Sequence, residues 1–160
     1  MAASCCKSVL LNIIKHQIMI VKQLSVFLEN KANSLNTMLE VLTAQGINMS
    51  AFCIADAADY GIVRFIVGRP ELAYNILKDN GYTVRLTDVV CMVVPHESGG
   101  LHKALKIISS NGINIDYMYA FADGGSAKVV IRSDSNERLI DILQANKMEL
   151  VASNQVYNVD

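Results

Sequence analysis

The sequence predicts an α+β fold: two ferredoxin-like βαββαβ units in tandem, each an antiparallel sheet with both helices on one face. The tripeptide Gly-Ile-Asn stands at residues 46–48 and again at 112–114, an offset of 66 residues. Each copy follows an amphipathic helical stretch and precedes a strand-like run. One helix between the first and second strands, and another after a hairpin, give the split βαβ order. An offset of 66 exceeds the common solenoid periods, so two tandem copies account for the 160 residues.

The opening strands read as Val21–Leu28 and Val89–Val94. In the first helix Leu35, Met38, Leu39 and Leu42 fall at i, i+3, i+4 and i+7, and Leu101, Ala104, Leu105 and Ile108 repeat the pattern, giving one apolar stripe each. Gly46 and Gly112 suit a left-handed helix C-cap. Strand-like runs follow at 47–55 and 113–122. Asp59-Tyr60-Gly61 and Asp123-Gly124-Gly125 supply hairpin turns to returning strands Ile62–Val67 and Ala127–Arg132. Here the second hairpin reads two residues shorter, so the offset falls to 64. Second helices run Pro70–Asn80 and Asn136–Asn146, with Pro70 suited to a first turn. Final strands are expected at Tyr82–Thr87 and Met148–Tyr157.

The domain boundary is expected near Asp88, dividing the chain into residues 20–88 and 89–160. So short a link favours a fixed interface, where small ligands tend to bind. A 66-residue unit is marginal alone, so the halves are expected to pack together or the chain to dimerise. Residues 1–19 stand apart. The apolar run Val9–Ile14 is too short to span a bilayer, and a signal-peptide pattern is lacking. The segment reads as an appended helix, an interfacial helix, or sequence upstream of a natural start at Met19.

Composition excludes several functions. A hydrophobic fraction of 52% and mean hydropathy of +0.30 describe a chain with ample core material. A net charge of −1 gives no electrostatic footprint for nucleic acid or anionic membrane. Cys5, Cys6, Cys53 and Cys91 form no CxxC pair and read as reduced thiols of a cytoplasmic protein. His96 and His102 lack standard metal spacing and a third ligand. Asp56, Asp59 and Asp123 fall in turns, where aspartate is an ordinary turn former. Tyr117, Tyr119 and Phe121 alternate onto one face, but the third strands lack the RNA-binding signature, so packing at an interface is expected. No phosphate-binding loop is present, and no cofactor is implied. No catalytic cluster of acid, base or nucleophile is apparent.

What remains is the loop before each first helix, LENKANSL at 28–35 and VPHESGGL at 94–101, with Asn48 or Asn114 just beyond the helix. Helix-start N–H groups suit a carboxylate, and a carboxamide offers both donor and acceptor. Together they suit a free amino acid; alternatively each merely caps its own helix or turn.

On these residues the sequence resembles the ACT domain family twice over. The first match is Glu29-Asn30-Lys31-Ala32-Asn33-Ser34-Leu35 with Gly46-Ile47-Asn48. The second is Val94-Pro95-His96-Glu97-Ser98-Gly99-Gly100-Leu101 with Gly112-Ile113-Asn114. The resemblance covers about residues 20–158 and implies small-molecule regulatory domains, usually sensing amino acids at interfaces between ACT units. By that likeness Asn30, Ala32, Asn33, Ser34 and Leu35 form one cradle, completed by Asn48 and Met49. His96, Gly99, Gly100 and Leu101 form its counterpart, with Asn114 and Ile115. Ala32-Asn33 replaces the family's Pro-Gly, and Ser98 replaces the second proline, so the two sites are expected to differ. The resemblance implies a non-enzymatic regulator with a small-molecule (amino-acid) ligand, a homo-oligomer, and a regulated enzyme as partner. The alternative is an oligomerisation module with vacant sites.

Overall fold

The structure, a computed structural model, describes residues 10, 13–55 and 59–157. Cys5, Cys6, Val9 and Asp56 lie outside the described residues. Among the described residues, five helices and six strands follow one another after a helical segment at 13–19. These are β1 (Ile20–Glu29), α1 (Ser34–Thr43), β2 (Met49–Ala55), β3 (Tyr60–Val67), α2 (Pro70–Asp79) and β4 (Thr83–Pro95). Then come α3 (Gly100–Ser110), β5 (Ile115–Asp123), β6 (Ser126–Ser133), α4 (Asn136–Ala145) and the short α5 (Ser153–Tyr157).

The chain divides into two compact units. The first comprises Lys22–Thr87 with the tail Asn154–Asp160, and the second Asp88–Ser153 with the N-terminal segment to Val21. In the first, the strand order is β2-β3-β1-β4. In the second it is β4-β6-β5, and Leu150 bridges antiparallel to Met92 on β4. Both are ferredoxin-like units with antiparallel hairpins and helices against one face.

The cores follow from the apolar stripes. In the first unit Met38 and Leu42 of α1 and Ala73 and Leu77 of α2 cluster with Leu24, Val26, Val63 and Phe65 of the sheet. In the second, Ala104, Ile108, Leu139 and Leu143 cluster with Val90, Met92, Val129 and Ile131. Each of these eight positions in one cluster lies 66 residues from its counterpart in the other. Burying such side chains stabilises by about 1.5–3 kcal/mol each.

Three sequence expectations are corrected. First, the offset does not fall to 64 in the hairpins. β3 begins at Tyr60 and β6 at Ser126, and the strand registers repeat at 66: Leu24 faces Phe65 as Val90 faces Ile131. A register irregularity recurs between Met49 and Ala51 and between Ile115 and Tyr117. The glycine pair 124–125 is the turn itself, with Gly124 at φ 62°, so residues read as turn become strand. Second, the strands expected on either side of Asp88 are one strand, β4, because no glycine or proline interrupts residues 83–94. Third, Met148–Tyr157 is not a strand. Glu149–Val151 pair with β4 through Val93 N–H on the Glu149 carbonyl and Val151 N–H on the Cys91 carbonyl, both 2.9 Å. Beyond them the chain turns helical, and its polar groups are satisfied on the first unit. Lys22 N–H donates to the Tyr157 hydroxyl and Ser50 Oγ to the Val156 carbonyl, both 2.7 Å. Ser-Asn-Gln has little β propensity to resist this.

The described part of the N-terminal segment is helical. His16 Nε2 lies 2.8 Å from Asp141 Oδ1 on α4, while Met19 and Ile20 pack on the second core. No described helix is long and apolar enough to cross a membrane.

Left-handed backbone also repeats. Gly81 follows α2 at φ 83°, and Lys147 holds the matching place after α4 at φ 58°. A side chain there strains against its own backbone. Lys147→Gly is therefore expected to raise stability by about 0.5–1 kcal/mol, and Gly81→Ala to lower it by a similar amount, in urea titrations.

Candidate ligand-binding site

The loop from β1 to α1 must reverse the chain within residues 30–33. Asn30 N–H reaches the Asp59 carbonyl at 3.0 Å, and Ser34 N–H the Lys31 carbonyl at 3.3 Å. Asn33 takes the left-handed conformation at φ 72°, which asparagine tolerates better than most residues. Its carbonyl then accepts the N–H and the hydroxyl of Thr37, at 3.0 and 3.1 Å. The turn thus survives the replacement of glycine. The N–H groups of Leu35 and Asn36 lie in the first helical turn, where no earlier helical carbonyl is available.

The loop from β4 to α3 is built alike. His96 N–H donates to the Gly125 carbonyl and Gly100 N–H to the Glu97 carbonyl, both 3.1 Å, and Gly99 stands at φ 87°. It is tighter in one respect. A Cβ at Gly100 would lie 2.3 Å from the Pro95 carbonyl oxygen, so only glycine fits, whereas the first loop accommodates Ser34.

Each unit separates its predicted residues into two groups. In the first, Asn30, Ser34 and Leu35 come together beside Ile54 and Gly61 in a cleft of about 100 Å³. Ala32 and Asn33 are exposed at the loop's tip. A larger cleft of about 470 Å³ adjoins it, where Glu29, Ser34 and Thr37 meet Phe27, Tyr60 and Tyr82. Asn48 and Met49 line neither cleft. Asn48 is exposed, and its Oδ1 accepts Met49 N–H at 2.9 Å. In the second unit His96 and Gly99 are exposed, Leu101 is half-buried, and Gly100 is buried. Asn114 and Ile115 line a separate cleft of about 560 Å³ with His102, Lys106, Ser109 and Ile113.

The reason is the helix between them. Ten residues at 1.5 Å rise place the ends of α1 about 15 Å apart. The loop lies before its first turn and the asparagine beyond its last. Within one unit the two groups therefore cannot hold one small molecule between them.

Sequence reasoning missed Lys106 and Ser109, and weighed His102 only as a metal ligand. The signal was present: residues 102, 106 and 109 share one helix face at i, i+4 and i+7. Among the described residues no group of three His, Cys, Asp or Glu could hold a metal ion. Tyr117, Tyr119 and Phe121 are half-buried. Cys53 is half-buried, and Cys91 is fully buried on β4. Desolvation pushes the Cys91 thiol up to about 11, against a smaller opposing pull from Lys128. A thiol held protonated is a poor nucleophile.

A family model described as an ACT domain pair matches residues 19–159. Protein BT0572 from Bacteroides thetaiotaomicron is 45% identical, with a TM-score of 0.85, over 88% of this chain and 98% of that one. The regulatory subunit of aspartate kinase from Thermus thermophilus, in a ligand-free form, is 14% identical with a TM-score of 0.60, over 78% of this chain and 91% of that one. Its counterpart from Thermus flavus is 14% identical with a TM-score of 0.57, over 81% and 94%. The two Thermus proteins share the fold. No curated protein matches.

The Cys91 thiol gives a pH signature. In the unfolded chain it titrates near 9.0 and in the folded chain near 11. Below that window both states carry the proton. Within it the unfolded chain loses the proton first, so stability falls as pH rises, by up to ~1.4 kcal/mol per pH unit. Chemical denaturation across this range should show that slope, and Cys91→Ala should remove it.

Proposed function

The chain belongs to the ACT domain pair family, and from that premise we propose a non-enzymatic regulatory protein of the cytoplasm that binds a free amino acid. The observation that carries this reading is the pair of loops at 30–33 and 96–99. Each ends in a left-handed residue that aims a helix start, with its unbonded N–H groups, beside a cleft or an adjoining surface. The ligand carboxylate docks on those N–H groups. An asparagine at the start of β2 or β5, supplied by a second copy of the chain, receives the ammonium through its carboxamide oxygen. The helix of about 15 Å between loop and asparagine rules out their pairing within any one unit, so another unit must supply the asparagine. The working form is accordingly a homo-oligomer, and occupancy is passed to an enzyme partner in trans. Among the described residues no cluster of general acid, base and nucleophile argues for chemistry instead.

A second reading, in which unit packing is itself the function, draws on one feature. β2 is an edge strand, and Phe52 and Ile54 on it are each 48% exposed. Apolar side chains along an unpaired edge favour self-association.

Thermal shift of the full chain with each of the twenty amino acids separates the two. A ligand at a hundred times its Kd raises stability by ~2.7 kcal/mol. Asn48→Ala or Asn114→Ala should then weaken binding by about 0.5–1.5 kcal/mol. No shift at millimolar concentration, with a dimer in sedimentation, favours the packing module.

A further inference from the structure

We infer that the cleft beside Asn114 in the second unit takes a small carboxylate of net negative charge. The inference rests on the small-ligand role proposed above and narrows its chemistry. The cleft holds about 560 Å³, enough for a metabolite of five or six carbons. Its floor is apolar, from Leu105, Ile108, Ile113 and Ile115. Its polar groups are Lys106, His102, Ser109 and Asn114, and none of the lining residues is acidic.

Of the nearby acidic side chains, that of Asp116 lies 3.6 Å from Arg132, and the Asn114 carbonyl accepts the Asp134 N–H at 3.2 Å. The carbonyl-rich end of α3 would oppose an anion, but it is covered. Asn111 Nδ2 donates to the Ile107 carbonyl, Ser110 Oγ to the Lys106 carbonyl, and Arg138 to the Asn111 carbonyl. Among the described residues Lys106 has no carboxylate partner, and the Asn114 carboxamide makes no hydrogen bond.

The other copy shows what a closed version looks like. The positions of His102, Lys106 and Asn114 are held there by Asn36, Glu40 and Asn48. Asn36 Nδ2 donates to Glu40 Oε1 at 2.7 Å, and Asn48 Oδ1 accepts Met49 N–H at 2.9 Å. The charge is reversed and both polar groups are satisfied. Two copies of one fold therefore present opposite surfaces at the same place; in the cationic one Ser109 Oγ donates to the Lys106 carbonyl at 3.2 Å, while the Lys106 ammonium and the Asn114 carboxamide stay available. A neutral zwitterion has its one carboxylate balanced by its own ammonium, so it draws less on Lys106 than a ligand with a further carboxylate. An anion with a carbon skeleton matches both the lysine and the apolar floor. A phosphate would match the lysine alone.

Titration calorimetry of the full chain tests this with glutarate, L-glutamate, L-glutamine and inorganic phosphate. Glutarate and L-glutamate are expected to bind at least about tenfold more tightly than L-glutamine or phosphate, and to weaken with added salt. Lys106→Glu and Lys106→Gln should each lose about tenfold or more for the two carboxylates. Lys106→Arg should retain them, and Glu40→Lys in the other unit should leave this cleft unaffected. L-glutamine binding as tightly as L-glutamate, phosphate matching glutarate, or indifference to Lys106→Glu would each overturn the inference. If neutral amino acids bind while the Lys106 variants change nothing, only this inference falls. If neither these four probes nor any of the twenty amino acids bind, the ligand-binding reading falls with it.

Discussion

The structure depends on one backbone state used twice. A left-handed residue, Asn33 or Gly99, joins each opening strand to its first helix. That conformation turns the carbonyl of the same residue onto the N–H four positions ahead, at 3.0 Å in both copies. Three residues earlier, Asn30 and His96 tie the loop to the tip of the hairpin. The helix start is thereby fixed against the sheet from both sides. Once it is fixed, helical periodicity decides which residues face inward, and the cores of the two units follow at the same offset. A residue that resists positive φ would cost about 1–2 kcal/mol here and tilt every contact downstream.

This local logic explains what the sequence disclosed. The stripe Leu35, Met38, Leu39 and Leu42, the capping glycines, and the order of elements depend on neighbours within a few residues, so they could be read directly. The tail could not. Whether Ser153–Tyr157 extends the sheet or turns helical is decided by Lys22 and Ser50, more than a hundred residues away in sequence. The repeat suggests a boundary inside β4, although nothing between Thr87 and Val89 breaks a strand. The loops at 30–33 and 96–99 were legible as helix starts. Their separation from Asn48 and Asn114 follows from the length of the helix between them. Lys106 went unremarked because a charge on a helix surface is ordinarily solvated; only its place beside an open cleft distinguishes it.

The two copies also differ in an instructive way. Inside, exchanges compensate. Met38 and Ala73 in one core stand where Ala104 and Leu139 stand in the other, a large and a small residue trading places between the first and second helices. Phe65 and Tyr74 are replaced by Ile131 and Ile140. The helix pair thus keeps its volume, as close packing favours, since both overpacking and cavities cost stability, while the two aromatic-to-isoleucine exchanges run one way.

Outside, nothing imposes such a balance. Glu40 against Lys106, Asn36 against His102, and Asn30 against His96 change charge or hydrogen-bonding character without a reciprocal change elsewhere in the unit. Exposed substitutions of this kind alter stability by less than about 0.5 kcal/mol, so the fold tolerates them freely. Duplication therefore leaves two cores bound by one packing rule and two surfaces free to diverge. Where the two units differ in what they bind, the difference resides in the residues that differ between the copies. The matching Gly-Ile-Asn tripeptides report the shared fold and set an asparagine at the same point of each unit. The mismatch at Glu40 and Lys106 is where the chemistry of one unit departs from that of the other.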